Sequence, residues 1–250
     1  NAFPAVDVSG GIHLVDRGEV FIADDLQLKK SFKESSKRPL FIWFPQDDLN
    51  FQNRLSEIYC CLGVQKLSES VECLVNGDFH QMDPEDNIIG KLLVKIVMGF
   101  LASRINMPLG ARLRKAKSLL DLPIFGTDKP LEVTYSLQVP SSGPEVHVGI
   151  YKKVFWDRNS KRLLIHTPSW SSGQKDIQLV TDYARAISEV VLSNCSGHVD
   201  LCHIIKLGFA FGFQENEINE LLMIENLAVS SEDTDFIDHV FPPIKVLPLD

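Results

Sequence analysis

The stretch LEVTYSLQVPSSGPEVHVGIYKKVFWDRNSKRLLIHT, Leu131 to Thr167, decides the fold class. Apolar and polar residues alternate through LEVTYSLQV, the period of a strand with one buried face. PSSGP is turn chemistry, EVHVGIYKKVFWD reads as the partner strand, RNSK turns again, and RLLIHT is a third strand. Together they predict a three-stranded antiparallel meander.

On either side the pattern changes to helical spacing. From Asn87 to about Ile105, the residues Ile88, Leu92, Ile96, Met98 and Leu101 support a long helix buried on much of its surface, and PLGARLRKAKSLLDL gives a second. Downstream, Ile177, Val180, Tyr183, Ala184, Ile187 and Val191 form one face of a helix from Asp176 to about Leu192. Two more helices follow in VDLCHIIKLGFAFGF and ENEINELLMIENL. A short one in DTDFIDHVF stops at Pro242 and Pro243.

The N-terminal part alternates strand and helix. EVFIADD reads as a strand whose Asp24 or Asp25 caps a helix in LQLKKSFKES, and LFIWF as a second strand ended by Pro45. A helix from about Asn50 to Leu62 closes at Gly63, and QKLSESVECLV reads as another strand. The expected organisation is therefore α+β: an α/β segment over residues 1–121 with two long helices at its end, a linker at Leu122–Pro130 where the composition shifts, and the meander with a helical part over residues 131–250.

The totals are those of ordinary globular material. Hydrophobic residues make up 44% and charged residues 23%, which favours neither a disordered chain nor a membrane-embedded one. The longest apolar run, LLVKIVMGFLAS, is cut by Lys95 and flanked by Lys91 and Arg104, too short and too charged to span a bilayer. Five cysteines, an odd number without a secreted-scaffold pattern, point to a reducing compartment, nucleus or cytoplasm. Net charge is −8, and residues 198–250 hold two basic residues against ten acidic ones, a distribution that repels nucleic acid. The opening NAFPAVDVSGG has no initiator Met, basic n-region or apolar h-region, so the expectation is an excised piece of a longer protein with any catalytic centre upstream.

Each chemical candidate has a plainer reading. Asp47 and Asp48, behind the strand that Pro45 ends, could serve a small hydrolase, but acid–base work needs a partner group and no His or Lys lies close in sequence; helix capping explains them better. Cys195, His198, Cys202 and His203 carry zinc-ligand chemistry, yet adjacent helical residues such as Cys202 and His203 point about 100° apart. Cys60, Cys61 and Cys73, with His80 seven residues beyond the last, lack a nucleophile signature and read as structural thiols. TPSWSSG lacks the G-x-S-x-G elbow, and neither phosphate-binding glycine motif occurs, so no catalytic, cofactor or metal residue is assigned. The basic stretch 104–117, with Arg112, Arg114, Lys115 and Lys117, is the one candidate phosphate or partner contact; its plainer reading is a solvated helix face. Trp43 and Trp156 fall in strands, whereas Trp170 sits in a polar segment that suits an interface.

LVDRGEVFIADDLQLKKSF, RPLFIWFPQ, EIYCCLGVQKLSESVE and LEVTYSLQV, in that order, resemble the later part of a plant family of large proteins, the NO VEIN-like and sacsin-like GHKL-type (histidine kinase, DNA gyrase B and heat-shock chaperone-like) ATPases. The resemblance extends from about Val15 to about Val240. It implies that an ATP- and Mg-binding module, with its Asn motif and glycine-rich lid, lies upstream, and it carries no site residue onto any position here. The function expected is a non-catalytic interaction or regulatory region, docking within the same chain or binding client proteins. A nucleic-acid-associated module using the basic helix is the alternative, and a hydrolase at Asp47 and Asp48 a further one.

Overall fold

A computed structural model describes residues 2–7, 10–35, 39–45, 49–83, 88–139, 145–171, 176–192 and 197–242. In chain order the elements are β1 (Ala2–Val6), β2 (Ile12–Asp16), a 3-10 turn (Arg17–Glu19), β3 (Val20–Ile22), α1 (Leu26–Glu34), β4 (Leu40–Ile42), α2 (Leu49–Cys61), β5 (Gln65–Lys66), α3 (Leu67–Ser70), β6 (Val71–Val75) and β7 (His80–Gln81). Then come α4 (Lys91–Ser103), α5 (Leu109–Leu120), β8 (Ile124–Thr127), β9 (Leu131–Leu137), β10 (Val146–Lys152), β11 (Val154–Asp157) and β12 (Arg162–His166). The chain ends in α6 (Thr167–Ser171), α7 (Ile177–Leu192), α8 (His198–Ala210), α9 (Glu215–Ile224) and α10 (Ser231–Val240). The class is α+β, as the sequence predicts.

Two compact units form, residues 1–76 with 132–151 and residues 77–131 with 152–250. This division does not fall at the linker expected over 122–130, because that segment holds β8, an inner strand of the second unit's sheet.

In the first unit a five-stranded sheet has the order β2-β1-β4-β3-β5. The strands β4, β3 and β5 run parallel, joined through α1 and α2, which is the α/β pattern expected. All three residues of β3 are buried, as a parallel strand covered on both faces requires. Asp25 is the cap of α1, its carboxylate accepting the N–H groups of Gln27 and Leu28 at 2.8 and 3.1 Å. Asp24 instead accepts from the backbone N–H and hydroxyl of Ser68. That tether holds the single turn α3, so QKLSESVECLV is not one strand: β5 stays in the parallel sheet and β6 enters a second sheet, ordered β10-β9-β6.

The predicted meander is divided in the same way. In β9, Leu131, Val133, Tyr135 and Leu137 are buried, the alternation read from sequence. Its partner EVHVGIYKKVFWD breaks at Lys153, whose N–H donates to the Asp182 carboxylate at 2.9 Å and not to a neighbouring strand. Beyond the break, β11 pairs antiparallel with β12 in the second unit's sheet, ordered β11-β12-β8-β7, where β12 runs parallel to β8.

The second unit is built around α4. Its Leu93, Ile96, Val97, Phe100 and Leu101 join a core with residues of α7, α8, α9, β11 and β12, while Val94 and Met98 join Ala116 of α5 and Ile237 of α10 in another. A Cβ on Gly99 would lie 3.2 Å from Val229, so this helix is packed to its backbone. Arg112 fastens α10 to α5. Its guanidinium holds the fully buried Asp233 carboxylate at 2.8 to 3.2 Å and donates to the Met107 carbonyl at 2.7 Å, while Asp233 also completes a capping box with Ser230. Removing one partner of a buried pair strands the other charge, so Asp233→Ala is expected to cost about 3–5 kcal/mol and Ser230→Ala about 1 kcal/mol. Urea unfolding of the two variants checks this; an Asp233→Ala loss within about 0.5 kcal/mol, the range of an ordinary surface change, would mean the pair does not hold α10.

Candidate functional site

A concavity lined by aromatic rings forms in the second unit. Four aromatic rings meet there in a chain. Trp170 of α6 packs on Tyr183 of α7 with ring centres 5.3 Å apart, Tyr183 meets Phe209 of α8 edge-on at 5.2 Å, and Phe209 meets Phe213 edge-on at 5.1 Å. Opposite them lies the start of α4, from Ile88 through Gly90 to Leu93, and the half-open space between them is about 370 Å³. Tyr183 is fully buried, its hydroxyl donating to the Ile88 carbonyl, and burial pushes its phenol pKa far up, so it remains a neutral donor. At the rim the Lys91 ammonium sits 2.7 Å from the Asp238 carboxylate.

Two glycines shape this space. A Cβ on Gly208 would fall 2.9 Å from the Phe213 ring, so the ring lies directly on the α8 backbone. A Cβ on Gly90 would meet nothing within 4 Å, which leaves the mouth clear. No short motif announces the arrangement: Trp170 reads as part of a polar segment, and only the spacing of Phe209 and Phe213, four apart across a helix end, hints at a shared wall.

The residues singled out from sequence are distributed otherwise. Of the basic cluster, Arg112 is committed to Asp233, which withdraws it from any partner surface; Arg114 and Lys117 are exposed and Lys115 is half-buried on α5. Asp47, Asp48 and Cys195 lie outside the described residues. His198 opens α8, Cys202 packs against the core with its thiol pKa raised by burial, and His203 is exposed. Among the described residues no group of three or more His, Cys, Asp or Glu side chains is placed to hold a metal ion. Burial also raises the Cys60 thiol, which disfavours the nucleophilic thiolate. Cys73 and His80 fall in different units. Trp43 and Trp156 are half-buried. No described helix is long and apolar enough to cross a membrane.

Three polar arrangements escaped the sequence reading. Across β9 and β10, the Ser136 hydroxyl lies 2.7 Å from His147 Nδ1, and Glu145 is 3.9 Å from Nε2. The residue types suit nucleophile activation, but the imidazole is exposed on a sheet face, where a cross-strand hydrogen bond is all the arrangement provides. His166 and Ser169 make a similar local pair at 2.7 Å. Lys152 and Asp182 are buried together, 3.7 Å apart. Sealed from substrate, this pair fixes the break at Lys153.

No protein-family model, curated protein or solved structure matches the chain.

Desolvation raises the Asp182 carboxyl pKa above its usual 3.8, against the opposing pull of Lys152. The folded chain therefore takes up this proton before the unfolded chain does as pH falls, so the cost of burying the charge is fully present above the raised pKa and is relieved on descending through it. Compared with Asp182→Asn, the wild-type chain is expected to gain stability as pH drops toward 4, which denaturation midpoints from pH 7 downward would measure. A difference that stays flat or reverses would show that Asp182 is not held above its usual pKa.

Proposed function

We propose that the chain is a non-catalytic interaction region, docking on a protein surface, within a larger GHKL-type ATPase-like protein whose ATP and Mg site lies upstream. The observation that carries the docking reading is α2 in the first unit. Phe51, Leu55, Ile58 and Leu62 fall within one narrow stripe at i, i+4, i+7 and i+11 along α2 and the turn that follows it, and Phe51, Ile58 and Leu62 are 49%, 51% and 45% exposed. The core side of the same helix is served by other residues, Tyr59 and Cys60. An apolar stripe at this spacing, left in water, suits insertion into a groove of a protein partner. The resemblance to NO VEIN-like and sacsin-like proteins supports the ATPase context, with docking to the rest of the same chain or to a client as the two forms the contact can take.

A photo-crosslinking amino acid at position 58, compared with one at the exposed Glu69 of α3, tests the docking surface in cells. Position 58 is expected to yield a defined protein adduct several-fold above the control, lost with Phe51→Ser or Leu62→Ser. Adducts within the parent chain would mean internal docking, and adducts with another protein a client; equal labelling at both positions would overturn the reading. The purified chain is also expected to show no ATP turnover that a single substitution within it abolishes, and finding such turnover would make it an enzyme.

A further inference from the structure

We infer that the aromatic cavity of the second unit is a binding site for a small, neutral, apolar molecule with a flat ring body. The inference concerns a different unit and a different class of ligand from the docking surface on α2, and it stands whether or not that surface binds a protein.

Size comes first. Apolar cavities of about 150 Å³ take up benzene in preference to water, and ligand sites generally begin at about 300 Å³. At about 370 Å³ this space has room for a fused two-ring body or larger.

The walls then set the chemistry. Trp170, Phe209 and Phe213 offer ring faces and edges, and the opposite side is the start of α4, where aliphatic Ile88, Leu92 and Leu93 stand beside Gly90 and Lys91. The Tyr183 hydroxyl is satisfied within the protein by the Ile88 carbonyl, and the Lys91 ammonium, part exposed at the rim, pairs with Asp238. A charged ligand would lose its hydration against apolar walls, with only the part-exposed Lys91–Asp238 pair at the rim to set against that loss, whereas a neutral ring loses little on entering. Recognition therefore rests on shape and stacking.

The wall is also fixed before any ligand arrives. Gly208 lets the Phe213 ring lie against α8, and Tyr183 is locked at both its ring and its hydroxyl, so little ordering is left to be done on binding. Gly90 keeps the entrance open.

The test uses the full chain and fluorine NMR with 1-fluoronaphthalene as the neutral probe and 4-fluoro-1-naphthoate as its charged counterpart. Saturable binding of the neutral probe is expected, at least tenfold tighter than that of the carboxylate. Gly90→Leu places an isobutyl group in the open mouth, and Trp170→Leu removes one ring while keeping an apolar side chain; each is expected to weaken the neutral probe at least tenfold, with circular dichroism confirming that both variants fold. Phe51→Ser, in the other unit, is expected to leave it unchanged. No saturable binding up to the probe's solubility, a carboxylate that binds as tightly, or binding lost with Phe51→Ser but kept in both cavity variants would each overturn the assignment. None of these outcomes bears on crosslinking at position 58.

Discussion

Burial of α4 on more than one side sets the positions of the elements around it. A free helix of thirteen residues is marginal in water, so α4 owes its existence to what covers it. Each large apolar side chain taken out of water contributes about 1.5–3 kcal/mol, and α4 has eight buried residues, among them Leu93, Ile96, Phe100 and Leu101. Because Gly99 lies against Val229, the elements after α9 are held at backbone distance. Further along, Gly208 brings α8 close enough that a Cβ there would be 3.2 Å from Ile96 as well as touching Phe213. The cavity is thus a by-product of how closely its neighbours can approach α4, and its walls inherit the rigidity of that packing.

Charge is used in this unit mainly as a fastener. Asp233 sits inside the protein because Arg112 and the Ser230 cap satisfy it, and Asp182 because Lys152 and the Lys153 N–H do. Both acids lie in the C-terminal half, so the acidity that gives the chain its net negative charge is not all a surface field. The basic helix α5 correspondingly turns one of its four candidate cations inward, leaving Arg114, Lys115 and Lys117 as ordinary surface or half-buried groups.

Residues whose role is set by near neighbours were legible in the sequence. The alternation of Leu131, Val133, Tyr135 and Leu137 reports a half-buried strand, and the helical period around Tyr183 and Ile187 reports α7, because each depends only on which face meets a core. What escaped depends on distant partners. The break at Lys153 needs Asp182, the turn at Leu67–Ser70 needs Asp24, and the inward turn of Arg112 needs Asp233, more than a hundred positions away. The expected linker failed for a related reason: Pro123 and Pro130 flank β8 and Gly126 lies within it, and the neighbours of that strand, β12 and β7, come from either side of it in sequence. The candidate site is the extreme case, assembled from short pieces near residues 90, 170, 183 and 210 that share no motif.

The path of the chain between its units has a consequence for its synthesis. The backbone passes from one unit to the other after residues 76, 131 and 151, so neither unit is continuous. On the ribosome β6 must wait for β9, and α4 and α5 emerge long before the helices that cover them. At roughly 5–20 residues per second, the apolar surface of α4 stays without its C-terminal cover for on the order of ten seconds.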